Sequence, residues 1–104
     1  MTEETLSKCK QIVLNLYSGV DMEAEGDAFK DICVQTTAVK QAFDYIDYCP
    51  ERSPRLAVRF LRDKCEAAAE KPNNTDETRR TFIVMAETFN SIMRIFQTGG
   101  AIIE

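Results

Sequence analysis

The sequence predicts an all-α protein, an antiparallel four-helix bundle. Three observations carry that expectation. Four stretches place apolar side chains three and four positions apart, the spacing of one helical face. The segments between them hold Gly, Pro and Asn, which end helices and open turns. Those connections are short, about eight, four and five residues, and short connections favour antiparallel neighbours. No internal repeat or low-complexity tract interrupts the pattern, so residues 1–104 form a single helical domain, with 99–104 a short C-terminal tail.

The first helix, about residues 3–18, starts from Thr2 as N-cap. Glu3 and Glu4 follow, and their charges suit the positive end of the helix dipole. Leu6, Cys9, Ile12, Val13, Leu16 and Tyr17 share one side, with Lys8, Gln11 and Asn15 opposite, and Gly19 offers a C-cap.

The second, about 27–49, begins at Asp27 and must stop before Pro50. Phe29, Ile32, Thr36, Val39, Phe43 and Ile46 form a heptad-like seam. The β-branched run around Val34-Gln35-Thr36-Thr37 is a weak point where a kink is expected. Val34, Ala38, Ala42, Tyr45 and Cys49 make a second apolar stripe, roughly opposite the seam and composed mostly of small residues.

The third, about 54–70, has Ser53 as N-cap and Pro54 at the first helical position, where a missing N–H costs nothing. Leu56, Ala57, Phe60, Leu61, Cys65 and Ala68 are expected inside, and Arg55, Arg59, Arg62 and Glu66 outside. The fourth, about 76–98, opens with a capping-box-like Asn74 and Glu77 and ends at Gly99-Gly100. Its main face is Phe82, Met85, Ala86, Phe89, Met93 and Phe96, and Ile83, Val84, Ile92 and Ile95 extend it around the sides. Ile102 and Ile103 in the tail leave two readings open, docking on the bundle or on a neighbouring subunit, or a frayed end or crystal contact.

Helices two and four therefore offer more apolar surface than one core asks of them. Either one helix is wrapped completely by the bundle, or the surplus meets another chain. The expectation is a homo-oligomer or a partner groove, with Val34, Ala38, Ala42, Tyr45, Val84 and Ile95 as the contacts.

Composition limits the chemistry. At 44% apolar and 29% charged residues with a net charge of −4, the chain is too apolar and too weakly charged for disorder. It contains no histidine, which excludes serine triads, Cys–His dyads and His–metal centres. Cys9, Cys33, Cys49 and Cys65 are spaced by 24, 16 and 16 residues, without a C-x-x-C pair. They are expected to be small, mostly buried apolar residues. Cys9 or Cys65 as a nucleophile would have only lysine and arginine to activate it. The segment Asp21 to Asp27 resembles a calcium loop in its alternating acids and Gly26, but its twelfth position, Ile32, lacks the bidentate glutamate. The pairs Asp44/Asp47 and Glu66/Glu70 are expected to be exposed helix charges. No metal and no cofactor is expected.

Charge divides along the chain. Residues 1–50 hold four lysines against nine acids, whereas 51–104 hold nine bases against eight acids, and all seven arginines lie between Arg52 and Arg94. Arg52, Arg55, Arg59 and Arg62 form a row on helix three beside the free N–H groups of its first turn, an arrangement suited to anions. The N-terminus lacks the pattern of a secretory signal and no apolar run is long enough to span a membrane, so a cytoplasmic protein is expected. The functional expectation is a non-enzymatic protein–protein interaction module of inhibitor, adaptor or chaperone type. The alternative is a regulator that binds nucleic acid or a phosphate-bearing ligand through the arginine row.

Overall fold

The computed structural model describes residues 2–17 and 25–99. Four helices follow in chain order: α1 Glu3–Tyr17, α2 Gly26–Tyr48, α3 Pro54–Ala69 and α4 Asp76–Gln97. Three of the four starts are set by side-chain oxygens that accept otherwise unpaired N–H groups. The Thr5 amide donates to Thr2 Oγ1 at 3.1 Å, Leu56 to Ser53 Oγ at 3.3 Å and Thr78 to Thr75 Oγ1 at 3.1 Å. The α4 cap corrects the sequence expectation. Asn74 does not cap α4; its Nδ2 turns back and donates to the Ala68 carbonyl at 2.6 Å, closing the end of α3, while Thr75 takes the cap position. Nor does Asp27 cap α2, which begins one residue earlier, at Gly26, with no side-chain cap. Gly99 ends α4 with φ +63, the left-handed conformation that glycine adopts without steric cost, and its amide reaches the Phe96 carbonyl at 3.2 Å.

α2 runs unbroken through residues 34–37, where a kink was expected. Thr36 and Thr37 face outward and donate their hydroxyls to the carbonyls of Ile32 and Cys33 four positions back. This satisfies the polar groups without opening the helix.

Cross-helix contacts fix the directions. Lys10 meets Asp47, and Cys9 lies by the Ile95 carbonyl, so α1 is antiparallel to both α2 and α4. Arg62 meets Asn90, with Glu66 and Glu70 further along beside Ile83 and Arg79, so α3 and α4 form an antiparallel hairpin. Lys30 meets Glu77 and Asp31 meets Arg80, so the N-terminal ends of α2 and α4 lie together and the two helices run parallel. This is the up-down-up-down bundle the short connections imply, with α4 touching all three other helices.

The core is built on α4. Phe89 and Ile92 are fully buried, Phe96 and Ala86 nearly so, and they meet Cys9 and Val13 of α1, Ala38, Val39, Ala42 and Ile46 of α2, and Ala57, Val58 and Cys65 of α3. The one buried polar side chain among the described residues, Thr88, donates its hydroxyl to the Val84 carbonyl at 2.8 Å. Small side chains dominate the contributions of α2 and α3, which lets their backbones approach α4 closely. α1 is more loosely attached. It buries Cys9 and Val13 only, and leaves Leu14 and Leu16 exposed.

Candidate interaction surface

The small-residue stripe of α2 faces inward. Ala38 and Ala42 have no exposed surface, Cys49 is buried, and Val84 of α4 is buried with them. The sequence reading put Ala38, Ala42 and Val84 at an interface with another chain; within this fold the protein's own core covers them. The physical reason is packing distance. Alanines permit close helix approach, and both Ala38 and Ala42 sit in one buried cluster with Ala86, Phe89 and Ile92 of α4. Of the bulkier seam, Val39 and Ile46 are buried at its edge, Phe43 is half-buried, and Phe29 and Thr36 are exposed. Val34 and Ile95 are half-buried, and Tyr45 packs against Phe60. α4 touches all three other helices and buries six of its residues, and Ile83 is its one large apolar side chain left substantially exposed.

Exposed large apolar side chains occur on every helix: Leu14 and Leu16 on α1, Phe29 and Tyr48 on α2, Ile83 on α4, and Leu56 and Phe60 on α3. Leu56 is 45% exposed and Phe60 40%, although the sequence reading placed both inside. The buried face of α3 is rotated toward Ala57, Val58, Leu61 and Cys65. Val58 was the signal: with Leu61, Cys65 and Ala68 it forms a second three-and-four pattern, and that pattern wins because it brings more small residues to α4.

Phe60 is held in place. Its ring stacks on Tyr45 with centroids 5.6 Å apart and an interplanar angle of 19°. Arg52 lies 5.6 Å and Lys64 5.0 Å from the ring centroid, near enough for cation–π attraction. Burial, first, and then the Cys49 thiol raise the Tyr45 hydroxyl above its ordinary pKa, with Arg52 acting the other way, so the phenol stays protonated at neutral pH. Arg52, Leu56, Arg59, Phe60 and Asp63 line a shallow depression beside this stack.

The arginine row divides. Arg62 is half-buried and committed: it donates to Asn90 Oδ1 at 3.0 Å and to Asp63 at 2.9 Å, and lies 3.7 Å from Glu66. Arg59 reaches Asp63 only at 3.9 Å. Arg52 and Arg55 make no ion pair among the described residues, and both are exposed. Two guanidiniums and part of a third therefore remain to meet a ligand, beside two apolar side chains.

Other candidates are weaker. An apolar groove of about 400 Å³ runs between α1 and α2, lined by Leu14, Tyr17, Val39 and Phe43 with Lys40 and Asp44 at its rim. The cleft of about 660 Å³ between the N-terminal ends of α2 and α4 is lined by residues already paired with one another, Lys30–Glu77 at 2.9 Å and Arg80–Asp31 at 2.7 Å. Among the described residues no three Cys, Asp or Glu side chains come together as a metal site would require. Most of the suspected calcium loop, the Gly19 cap and the tail isoleucines lie outside the described residues. Burial raises the thiols of Cys9 and Cys65, opposite to the shift a nucleophilic cysteine needs. Cys33 is the exposed thiol. Among the described residues no helix is long and apolar enough to cross a membrane. Comparison with protein-family models, curated proteins and solved structures finds nothing that matches the chain.

Proposed function

We propose that the protein is a non-enzymatic protein–protein interaction module whose docking surface is the outward face of α3. The observation that carries this reading is Phe60: a large aromatic side chain, partly exposed, fixed by Tyr45 and flanked by Arg52, Arg59 and Leu56. Aromatic and arginine side chains are the two classes most enriched at binding hot spots. A ring already held in one orientation loses little entropy on docking. The raised thiol pKa values of Cys9 and Cys65 support a non-enzymatic role, and four unpaired thiols suit a reducing, cytoplasmic setting.

The same arrangement favours a protein over nucleic acid or a phosphate-bearing ligand. A phosphate would engage Arg52 and Arg55 but leave Leu56 and Phe60 in water, and Arg62 would have to abandon Asn90 to join them. Replacing Phe60 by the photo-crosslinker benzoylphenylalanine in cells tests the reading, with Lys40 on another face as control. A discrete protein adduct from position 60, absent from position 40 and reduced by Arg52→Glu, is the expected result. Equal labelling at both positions, or none at 60, overturns it.

A further inference from the structure

The charges along the outward face of α3 are ordered. Arg52, in the turn before α3, and Arg55 and Arg59 in its first half lie toward one end; Asp63 and Glu66 in its second half and Glu70 at its C-cap lie toward the other. All six are exposed. With exposed Lys64, which lies 5.0 Å from the Phe60 ring, the face carries four bases against three acids, divided between its two ends, so neither a uniformly acidic nor a uniformly basic partner complements its whole length. What complements it is the same face turned end to end. Arg59 and Asp63 stand two positions either side of Leu61, and Arg52 and Glu70 nine positions either side. An antiparallel copy centred near Leu61 therefore sets Arg59 against Asp63 and Arg52 against Glu70, each twice by symmetry. A parallel copy would set like charges together.

The ends of the face are also where the chain leaves its charges uncompensated. Asp63 already receives Arg62, and Glu66 lies 3.7 Å from the same guanidinium. Arg52, Arg55 and Glu70 have no ion pair among the described residues. Phe60, one position from the centre, would lie next to its own copy across the axis, with Leu56 beside it; both are exposed in the single chain.

We infer that the partner of the α3 face is a second copy of this chain, joined antiparallel α3 to α3 about a two-fold axis near Leu61. This rests on the reading of α3 as a docking surface and names its occupant.

Sedimentation velocity on the purified 104-residue protein, from micromolar to millimolar concentration, tests it. The wild type forms a dimer that weakens with salt. Arg52→Glu and Glu70→Arg each raise the dimer dissociation constant about tenfold or more, and the double variant R52E/E70R returns it close to the wild-type value, because the swapped charges meet again across the axis. Both positions are exposed, and circular dichroism checks that the helices persist. A wild type that is monomeric throughout, or a double variant no better than the singles, overturns the inference. Crosslinking from position 60 separates this from the wider reading. An adduct of twice the chain mass supports both. An adduct of other mass with a monomeric wild type overturns only the self-pairing, and no adduct overturns both.

Discussion

The Arg62 guanidinium crosses from α3 to donate to Asn90 Oδ1 on α4 at 3.0 Å, and this bond takes one arginine out of a row of four. It joins the two helices of the hairpin at mid-length. Arg62→Ala should destabilise the fold by about 1–2 kcal/mol, the range for a hydrogen bond to a charged group at a half-buried site. A double-mutant cycle with Asn90→Ala, read from urea unfolding, should show coupling of about 1 kcal/mol. Zero coupling would mean that the two side chains are neighbours without an energetic link.

Ala42→Glu should unfold the protein. The methyl group has no exposed surface and its neighbours are apolar, so a carboxylate there is unpaired and buried. The cost is about 4 kcal/mol or more, a large fraction of a domain's stability. Loss of the helical circular dichroism signal is the expected readout; a folded monomer would return Ala42 to the role of an interface residue.

Thr75→Ala removes the oxygen that accepts the Thr78 amide and should cost about 1 kcal/mol. Asn74→Ala should also destabilise, through the end of α3, because its amide bonds the Ala68 carbonyl. Thermal unfolding of both variants and of the pair distinguishes two separate contacts, whose effects add, from one shared cap.

The contribution of the Lys30–Glu77 pair to stability should be flat through neutral pH and fall on the acid side. The hydrogen bond from Lys30, reinforced by its charge, holds the Glu77 carboxyl below its ordinary value. That contribution is present above the ordinary carboxylate pKa and is lost as pH falls through the depressed one. Lys30 is raised by the same partner, so its share is full below the ordinary lysine value and is lost only as pH rises through the raised one. The difference in melting temperature between wild type and Glu77→Gln should therefore be small but measurable at pH 7, and should vanish at the acid end of the titration. A difference that persists there points to a cause other than the ion pair.

The helices were legible because their signals are local. Pro54 after Ser53, Pro50 after Cys49 and Gly99 after α4 mark ends through backbone geometry that no tertiary contact overrides. Which face each helix buries was only partly legible. Leu56 and Phe60 fit one apolar stripe of α3 and Val58 fits another; the choice depends on how closely α4 approaches, a property of two helices together. Ala38 and Ala42 show the same rule. Their small size reads locally as a weak stripe, and in the bundle both are fully buried. The arginine row was legible as a row, but the capture of Arg62 by Asn90 joins residues 28 apart in sequence.

α1 has a different standing from the rest of the bundle. Among its described residues it buries only Cys9 and Val13, whereas α4 buries six, and its described cross-helix polar contacts are Lys10 with Asp47 and the Cys9 thiol with the Ile95 carbonyl. Few of its own side chains are fully buried, so it should detach at a lower free energy than the α3–α4 hairpin needs to separate. The protein thus has a hinged wall: partial unfolding starts at α1 and bares Phe89 and Ile92, while the α3 face on the hairpin keeps its shape.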